Sequence, residues 1–253
     1  RLLIFATEPL DASALWAEPA AELVLAPSEA ARRSLLQLGL PASRVRVVGY
    51  PVAPAFLQPV APPPLTSGLR LTISLGGEGT GADPTPLIRP LLDAGHHTEV
   101  LTGRNRALLA QLEQLQDGSG RLVLHGFTDS VAGILARSHL VAGKAGPASV
   151  MEALAVGRPF LATGYAGLNE LAVIRFLEER SLGQQVSSAE QLLQAADRYA
   201  RQPELLSRAA AGCQQLDFPG MAQRLALAIT GFLEDGTVPE EVSGRGLDAS
   251  SSG

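Results

Sequence analysis

The chain has 253 residues, 46% of them apolar, with four histidines, one cysteine and a formal net charge of −5. That is enough apolar material for one large packed domain or two modest ones. The acidic balance and the 4% aromatic content speak against a nucleic-acid partner, Cys213 has no partner for an internal disulfide, and the scattered histidines speak against a structural metal centre. No apolar run approaches the roughly 20 residues of a membrane span, and no basic segment followed by an apolar one opens the chain, so the expected location is the cytoplasm.

In chain order, Leu2 to Ala6 and Glu22 to Leu25 read as short strands. A helix runs from Ser28, a good N-cap, through Gln37, and its apolar Leu35, Leu36 and Leu38 are stopped by Gly39 and Pro41. Val45 to Val48 is a further strand. Residues 1–50 therefore read as the end of an α/β domain. Because the chain opens on Arg1 and is in a strand by Leu2, the expectation is a fragment or processed product. Residues 51–68 hold six prolines and almost no periodicity, which predicts an extended connector.

From Leu69 strands and helices alternate at intervals of roughly 20 to 30 residues, the pattern of βαβ units around a parallel sheet. The predicted strands are Leu69 to Leu75, Glu99 to Thr102, Leu122 to Leu124, Leu140 to Ala142, Pro159 to Ala162 and Gln184 to Val186. The predicted helices are Thr85 to Ala94, Asn105 to Gln116, Ser130 to Arg137, Ala148 to Ala155 and Asn169 to Arg180. Three more follow, from Ala189 to Ala200, Pro203 to Ala211 and Met221 to Leu233, and the last of them is placed to pack back across the connector. The fold class is thus α/β, a Rossmann-like parallel sheet with helices on both faces over 69–234. Residues 235–253 carry few large apolar groups and are expected to be disordered.

Several strand ends carry residues suited to an anion or a nucleotide. The segment VAGKAGPASVMEALAVGRPFL, Val141 to Leu161, spells strand, glycine turn, helix and strand. A helix opening at Gly146 turns free backbone N–H groups and a positive dipole end toward an anion, and Glu152 lies about one turn further in, where a ribose diol would donate to it. The strand at Leu71 runs into Gly76, Gly77, Glu78, Gly79, Thr80 and Gly81, a turn whose backbone can approach a diphosphate. Its spacing is neither the dinucleotide fingerprint nor the P-loop. At the next strand end, Asn105 is a natural N-cap and Arg104 either meets a phosphate or is solvated. At the third, Gly126 and Phe127 either border a flat base or send the Phe127 ring into the core.

Taken in order, GYPV at Gly49 to Val52, LGGEGTG at Leu75 to Gly81, GRN at Gly103 to Asn105, the Gly126–Phe127 pair and KAGPASVMEALAVGRPF from Lys144 resemble one family. The chain is similar to the nucleotide-sugar half of the two-domain GT-B glycosyltransferases that build peptidoglycan on its lipid carrier or glycosylate diacylglycerol. GYPV and GRN lean toward the diacylglycerol branch, and the match covers 7–183. The resemblance implies a UDP-sugar donor, with no cofactor beyond that substrate, bound between two Rossmann-like domains. Gly76, Gly77, Gly79 and Gly81 would face the diphosphate with Gly146, Arg104 and the Ser149 hydroxyl, Glu152 would hold the ribose and Phe127 would border the uracil. Asn169 and Glu170 stand where the family has its Gln-Glu sugar-recognition pair, with Leu168 in place of a Gly and Val173 in place of an Asn.

The implied chemistry is hexosyl transfer with inversion to a lipid acceptor, reached through the missing domain or a partner subunit, at the inner face of the plasma membrane. The sequence departs from the family at Pro147, where a second Gly is usual, and in lacking a His between Thr7, Glu8 and Trp16. No catalytic base can be named, because the family keeps that group mainly in the other domain. Glu170 and Glu178, eight residues apart, imitate the paired glutamates of retaining enzymes but fall one helix too late; they read as solvated charges on one helix face. Two other readings stay open: a nucleotide-sugar-binding subunit that relies on a separate acceptor subunit, and a UDP-sugar epimerase of the same architecture.

Overall fold

The computed structural model describes residues 1–58, 61–65, 68–79, 83–236, 238, 242 and 247. Contacts divide the chain into two compact units: Arg1–Leu57 with Gly167–Val173 and Gln214–Gly253, and Gln58–Ala166 with Ile174–Cys213. This division differs from the boundaries 51–68 and 69–234 drawn from the sequence, because the C-terminal segment from Gln214 packs with the first strands.

The first unit is built on three parallel strands, β1 (Leu3–Phe5), β2 (Leu23–Ala26) and β3 (Val45–Val47), in that order. Strand β2 is buried along its whole length because its alternate side chains serve two cores. Val24 and Ala26 pack with Ala31 and Leu35 of α1 (Glu29–Gln37), whereas Leu23 and Leu25 pack with Ala228 and Phe232 of the C-terminal helix Phe218–Glu234. Helix α1 starts where the sequence says it should, since Ser28 Oγ accepts from the Ala31 amide at 3.0 Å. The tail expected to be disordered lies mostly outside the described residues. Val242 and Leu247, which are described, are buried, Val242 in the core beneath the C-terminal helix.

The second unit holds six parallel strands: β4 (Arg70–Ser74), β5 (His97–Leu101), β6 (Leu122–His125), β7 (Leu140–Lys144), β8 (Phe160–Gly164) and β9 (Gly183–Gln185). Their order is β6-β5-β4-β7-β8-β9. The chain winds outward from β4 to β6, returns to lay β7 beside β4, and winds outward the other way. Right-handed crossovers then place α2 (Thr85–Asp93) and α3 (Arg106–Glu113) on one face of the sheet, and α4 (Val131–Ala136) and α5 (Pro147–Ala155) on the other. Helices α6 (Leu168–Glu179), α7 (Ala189–Arg201), α8 (Pro203–Gln214) and α9 (Phe218–Glu234) complete the chain. Leu71, Ile73, Ile88, Leu91, Leu112, Leu140 and Leu161 form the centre of the core.

Of the boundaries that differ from the sequence reading, two have local reasons. Helix α3 ends at Glu113 and not Gln116, because its last turn tightens: Gln114, Leu115 and Gln116 each donate to the carbonyl three residues back, at 2.9–3.3 Å. Strand β7 continues past Ala142 to Lys144, with a register shift against β8 at Gly143 and Lys144. What matters for function is the winding reversal between β4 and β7, since open α/β sheets bind ligands in the crevice at such a switch point.

Candidate functional site

At the carboxyl ends of β4, β5, β6 and β7, four loops enclose a cleft of about 250 Å³. Gly76, Gly77, Gly103, Phe127, Ser149 and Glu152 line it, together with Ser74, Leu101, Gly126, Thr128, Val131 and Ala148. The glycine turn after β4 is locked to the loop after β5. Arg104 donates from its backbone to the Gly77 carbonyl at 2.9 Å, and Asn105 Nδ2 donates to the Gly79 carbonyl at 2.9 Å. The packing admits no side chain at two points: a Cβ on Gly79 would come within 2.1 Å of the Thr102 carbonyl oxygen, and one on Gly103 within 2.3 Å of the Gly77 carbonyl oxygen. Both residues have positive φ, +62° and +58°, so only glycine fits on either count. Asn105 is also the N-cap of α3, accepting from the Leu108 amide at 3.0 Å.

Across the cleft, α5 opens with Gly146 as its N-cap and Pro147 as its first residue. Proline at that position costs no intrahelical bond, and its fixed φ suits the helix start. The next amides, those of Ala148 and Ser149, belong to the first turn, where backbone N–H groups have no intrahelical acceptor. One turn on, the half-buried carboxylate of Glu152 has no hydrogen-bond or ion-pair partner among the described residues, and burial pushes its carboxyl group above the ordinary range. A half-buried acid without a partner destabilises the fold at neutral pH and is what a hydroxyl-bearing ligand would satisfy.

Phe127 does not join the core. The residue is 58% exposed, and the Arg104 guanidinium lies 4.3 Å from the ring centroid. Arg104 also pairs with Glu78 at 2.6 Å, but both side chains are exposed and such a pair contributes only about 0–1 kcal/mol, so Arg104 is readily available to a stronger anion. Asn169 and Glu170 are grouped with the first unit and are not among the residues lining the cleft. Asn169 Nδ2 donates to Glu8 Oε1 at 3.3 Å, and Glu170 is 6% exposed, which corrects its reading as a solvated surface charge. Gly81 lies outside the described residues.

A larger cavity of about 550 Å³ opens between the starts of α2 and α7 and shares Ser74 with the cleft. It contains none of the residues assigned to the donor, whereas the smaller cleft unites Gly76, Gly77, Phe127, Ser149 and Glu152. Size is therefore a poorer guide here than chemistry. The sequence reading missed Ser74, Leu101, Thr128 and Val131 in the cleft walls, and beneath them a buried Glu99 bound to His125 and Arg137. A signal for the last existed: an acid between Thr98 and Val100 in a strand covered on both faces has no route to water and needs cationic partners.

The doubly wound parallel sheet of the second unit is that of the Rossmann-like domain of GT-B glycosyltransferases. Residues 91–225, more than half of the chain, match the glycosyltransferase family 28 C-terminal domain, and the chain belongs to that family. It is 26% identical over 192 residues to the chloroplastic monogalactosyldiacylglycerol synthase of Spinacia oleracea, covering 68% of this chain and 36% of that enzyme. It is 21% identical over 246 residues to the processive diacylglycerol beta-glucosyltransferase of Staphylococcus carnosus, covering 91% of this chain and 61% of that one. Among solved structures, the UDP-GlcNAc 2-epimerase of Neisseria meningitidis bound to UDP-GlcNAc superimposes with a TM-score of 0.59 at 14% identity, covering 83% of this chain and 62% of that one. That likeness is one of fold alone. The chain spans between about a third and three-fifths of the length of these curated relatives.

Proposed function

We propose that this chain is the donor-binding half of an inverting glycosyltransferase that moves a hexosyl group from a UDP-sugar to a lipid acceptor such as diacylglycerol. The observation that carries this reading is Glu152: a half-buried carboxylate without a partner, in a cleft bounded by two glycine turns and a helix start. The ribose hydroxyls donate to Glu152. The diphosphate meets the Ala148 and Ser149 amides, the Ser149 hydroxyl and the backbone of Gly76 and Gly77. Arg104 exchanges Glu78 for a phosphate oxygen, and the Phe127 ring borders the uracil. Gly79 and Gly146 shape the two turns.

In the reaction an acceptor hydroxyl oxygen, passing its proton to a general base, attacks the anomeric carbon as the bond from that carbon to the diphosphate oxygen breaks, so UDP leaves with the electron pair and the configuration inverts. The donor is a substrate, and the reading needs no resident cofactor. A lipid acceptor places the complete enzyme at a membrane face. No helix among the described residues is long and apolar enough to cross a membrane.

Calorimetry with UDP tests the reading directly. The chain is expected to bind UDP with a Kd between about 1 μM and 1 mM, and Glu152→Ala to weaken it about tenfold through loss of hydrogen bonds to a charged group. Absence of heat with UDP, or equal affinity for both proteins, removes the assignment.

A further inference from the structure

Below the Phe127 end of the cleft lies a network that donor contacts alone do not explain. Glu99 sits in the middle of β5 and is 7% exposed. Its carboxylate accepts from Arg137 Nε at 2.9 Å and Arg137 Nη2 at 2.6 Å, and lies 2.8 Å from Nε2 of His125. Burial pushes the Glu99 carboxyl group up, but the hydrogen bonds from Arg137 and His125 outweigh it and hold the group below its ordinary value, hence ionised.

The two partners mark the ends of one wall of the cleft. His125 is the last residue of β6 and Arg137 the C-cap of α4. Between them lie Gly126, Phe127, Thr128 and Val131, all four of which line the cleft. His125 is held by its main chain as well, its carbonyl accepting from the Thr102 amide at 2.9 Å and Thr102 Oγ1 at 3.1 Å. The wall is therefore tied at both ends to one buried carboxylate on the neighbouring strand. That strand ends at Leu101 and leads through the loop at Gly103 into the adjoining part of the cleft.

We propose that Glu99 is a positioning residue for the nucleobase: through His125 and Arg137 it fixes the wall that carries Phe127 at the distance from α5 that a flat pyrimidine requires. Glu99 itself touches no ligand. The inference rests on the UDP-sugar reading of the cleft and deepens it. The groups assigned to the diphosphate, Gly76, Gly77 and Ser149, come from other loops, so loosening this wall spares them. A network that served only the fold would, when broken, weaken every nucleotide equally.

The experiment compares UDP with ADP by calorimetry on the wild-type chain, Glu99→Gln and Arg137→Gln, with circular dichroism to establish folding. The wild type is expected to prefer UDP, and each folded variant to lose about fivefold of that preference, with ADP affinity changing less than about twofold. Should Glu99→Gln not fold, Arg137→Gln decides, because Arg137 is half-exposed and Glu99 keeps His125 as a partner. Folded variants that keep the wild-type preference, or lose both ligands in equal proportion, overturn the positioning role while the nucleotide reading stands. A wild-type chain without preference for UDP overturns the nucleotide reading, and this inference with it.

Discussion

Gly103→Ala separates the geometry of the cleft from the general stability of the fold. A methyl group there would lie 2.3 Å from the Gly77 carbonyl oxygen and 2.5 Å from that of Gly76, about 1 Å inside an ordinary contact. Neither oxygen can yield alone, since both belong to a turn whose Gly77 carbonyl also accepts from the Arg104 amide. Holding alanine at φ +58° costs about 1 kcal/mol, and loss of the Arg104 hydrogen bond about 1 kcal/mol more. The expected destabilisation is thus about 2–3 kcal/mol in urea unfolding, accompanied by a displaced glycine turn and a fall in UDP affinity of at least about tenfold. Gly118→Ala supplies the control. Its φ is +77°, and no atom lies within 4 Å of the added methyl, so it suffers the backbone term alone and leaves UDP binding unchanged. If the two variants prove equally stable and bind UDP equally well, the contact between the two turns is not what shapes the cleft.

Two further expectations concern titration and reactivity. Because burial raises the Glu152 carboxyl above its usual 4.5, its contribution to stability is present at low pH and lost as pH rises through the folded value. Glu152→Gln should therefore melt higher than wild type at neutral pH, the difference closing as pH falls below the unfolded carboxylate value; equal melting temperatures across the range would show that Glu152 is well solvated. The buried thiol of Cys213 is pushed up to about 12 by desolvation, so iodoacetamide should leave it unmodified in the native chain at neutral pH and label it only once denaturant exposes it. Rapid labelling without denaturant would mean that α8 opens on its own.

Much of the architecture was legible because the signals are local. Ser28 and Asn105 announce helix starts through a single side-chain hydrogen bond each, and the apolar runs at Leu71 and Leu140 need no tertiary information to be read as buried strands. The glycine turns could be located from sequence, but not the reason for them: that Gly79 abuts Thr102 and Gly103 abuts Gly77 depends on β4 and β5 being neighbours. The same holds for Phe127. Whether an aromatic ring next to a strand end turns inward or outward is set by what waits on each side, here an Arg104 from another loop. His97 and Thr98 lie outside the strand read from the sequence, which begins at Glu99, yet register with Arg70 and Leu71 of β4 places them in β5. Glu99, His125 and Arg137 were invisible as a set because they meet only across two strands and a helix end.

The pairing of β4 with β7, from Leu71 opposite Leu140 to Ser74 opposite Gly143, joins segments about seventy positions apart, a non-local closure of the kind that folds slowly. A nascent polypeptide emerging from the ribosome would assemble β4 to β6 and their helices while still lacking the helix start at Gly146. Ligand recognition should consequently appear only once β7 and α5 have emerged. Added nucleotide would trap the finished domain without hastening the steps that precede it.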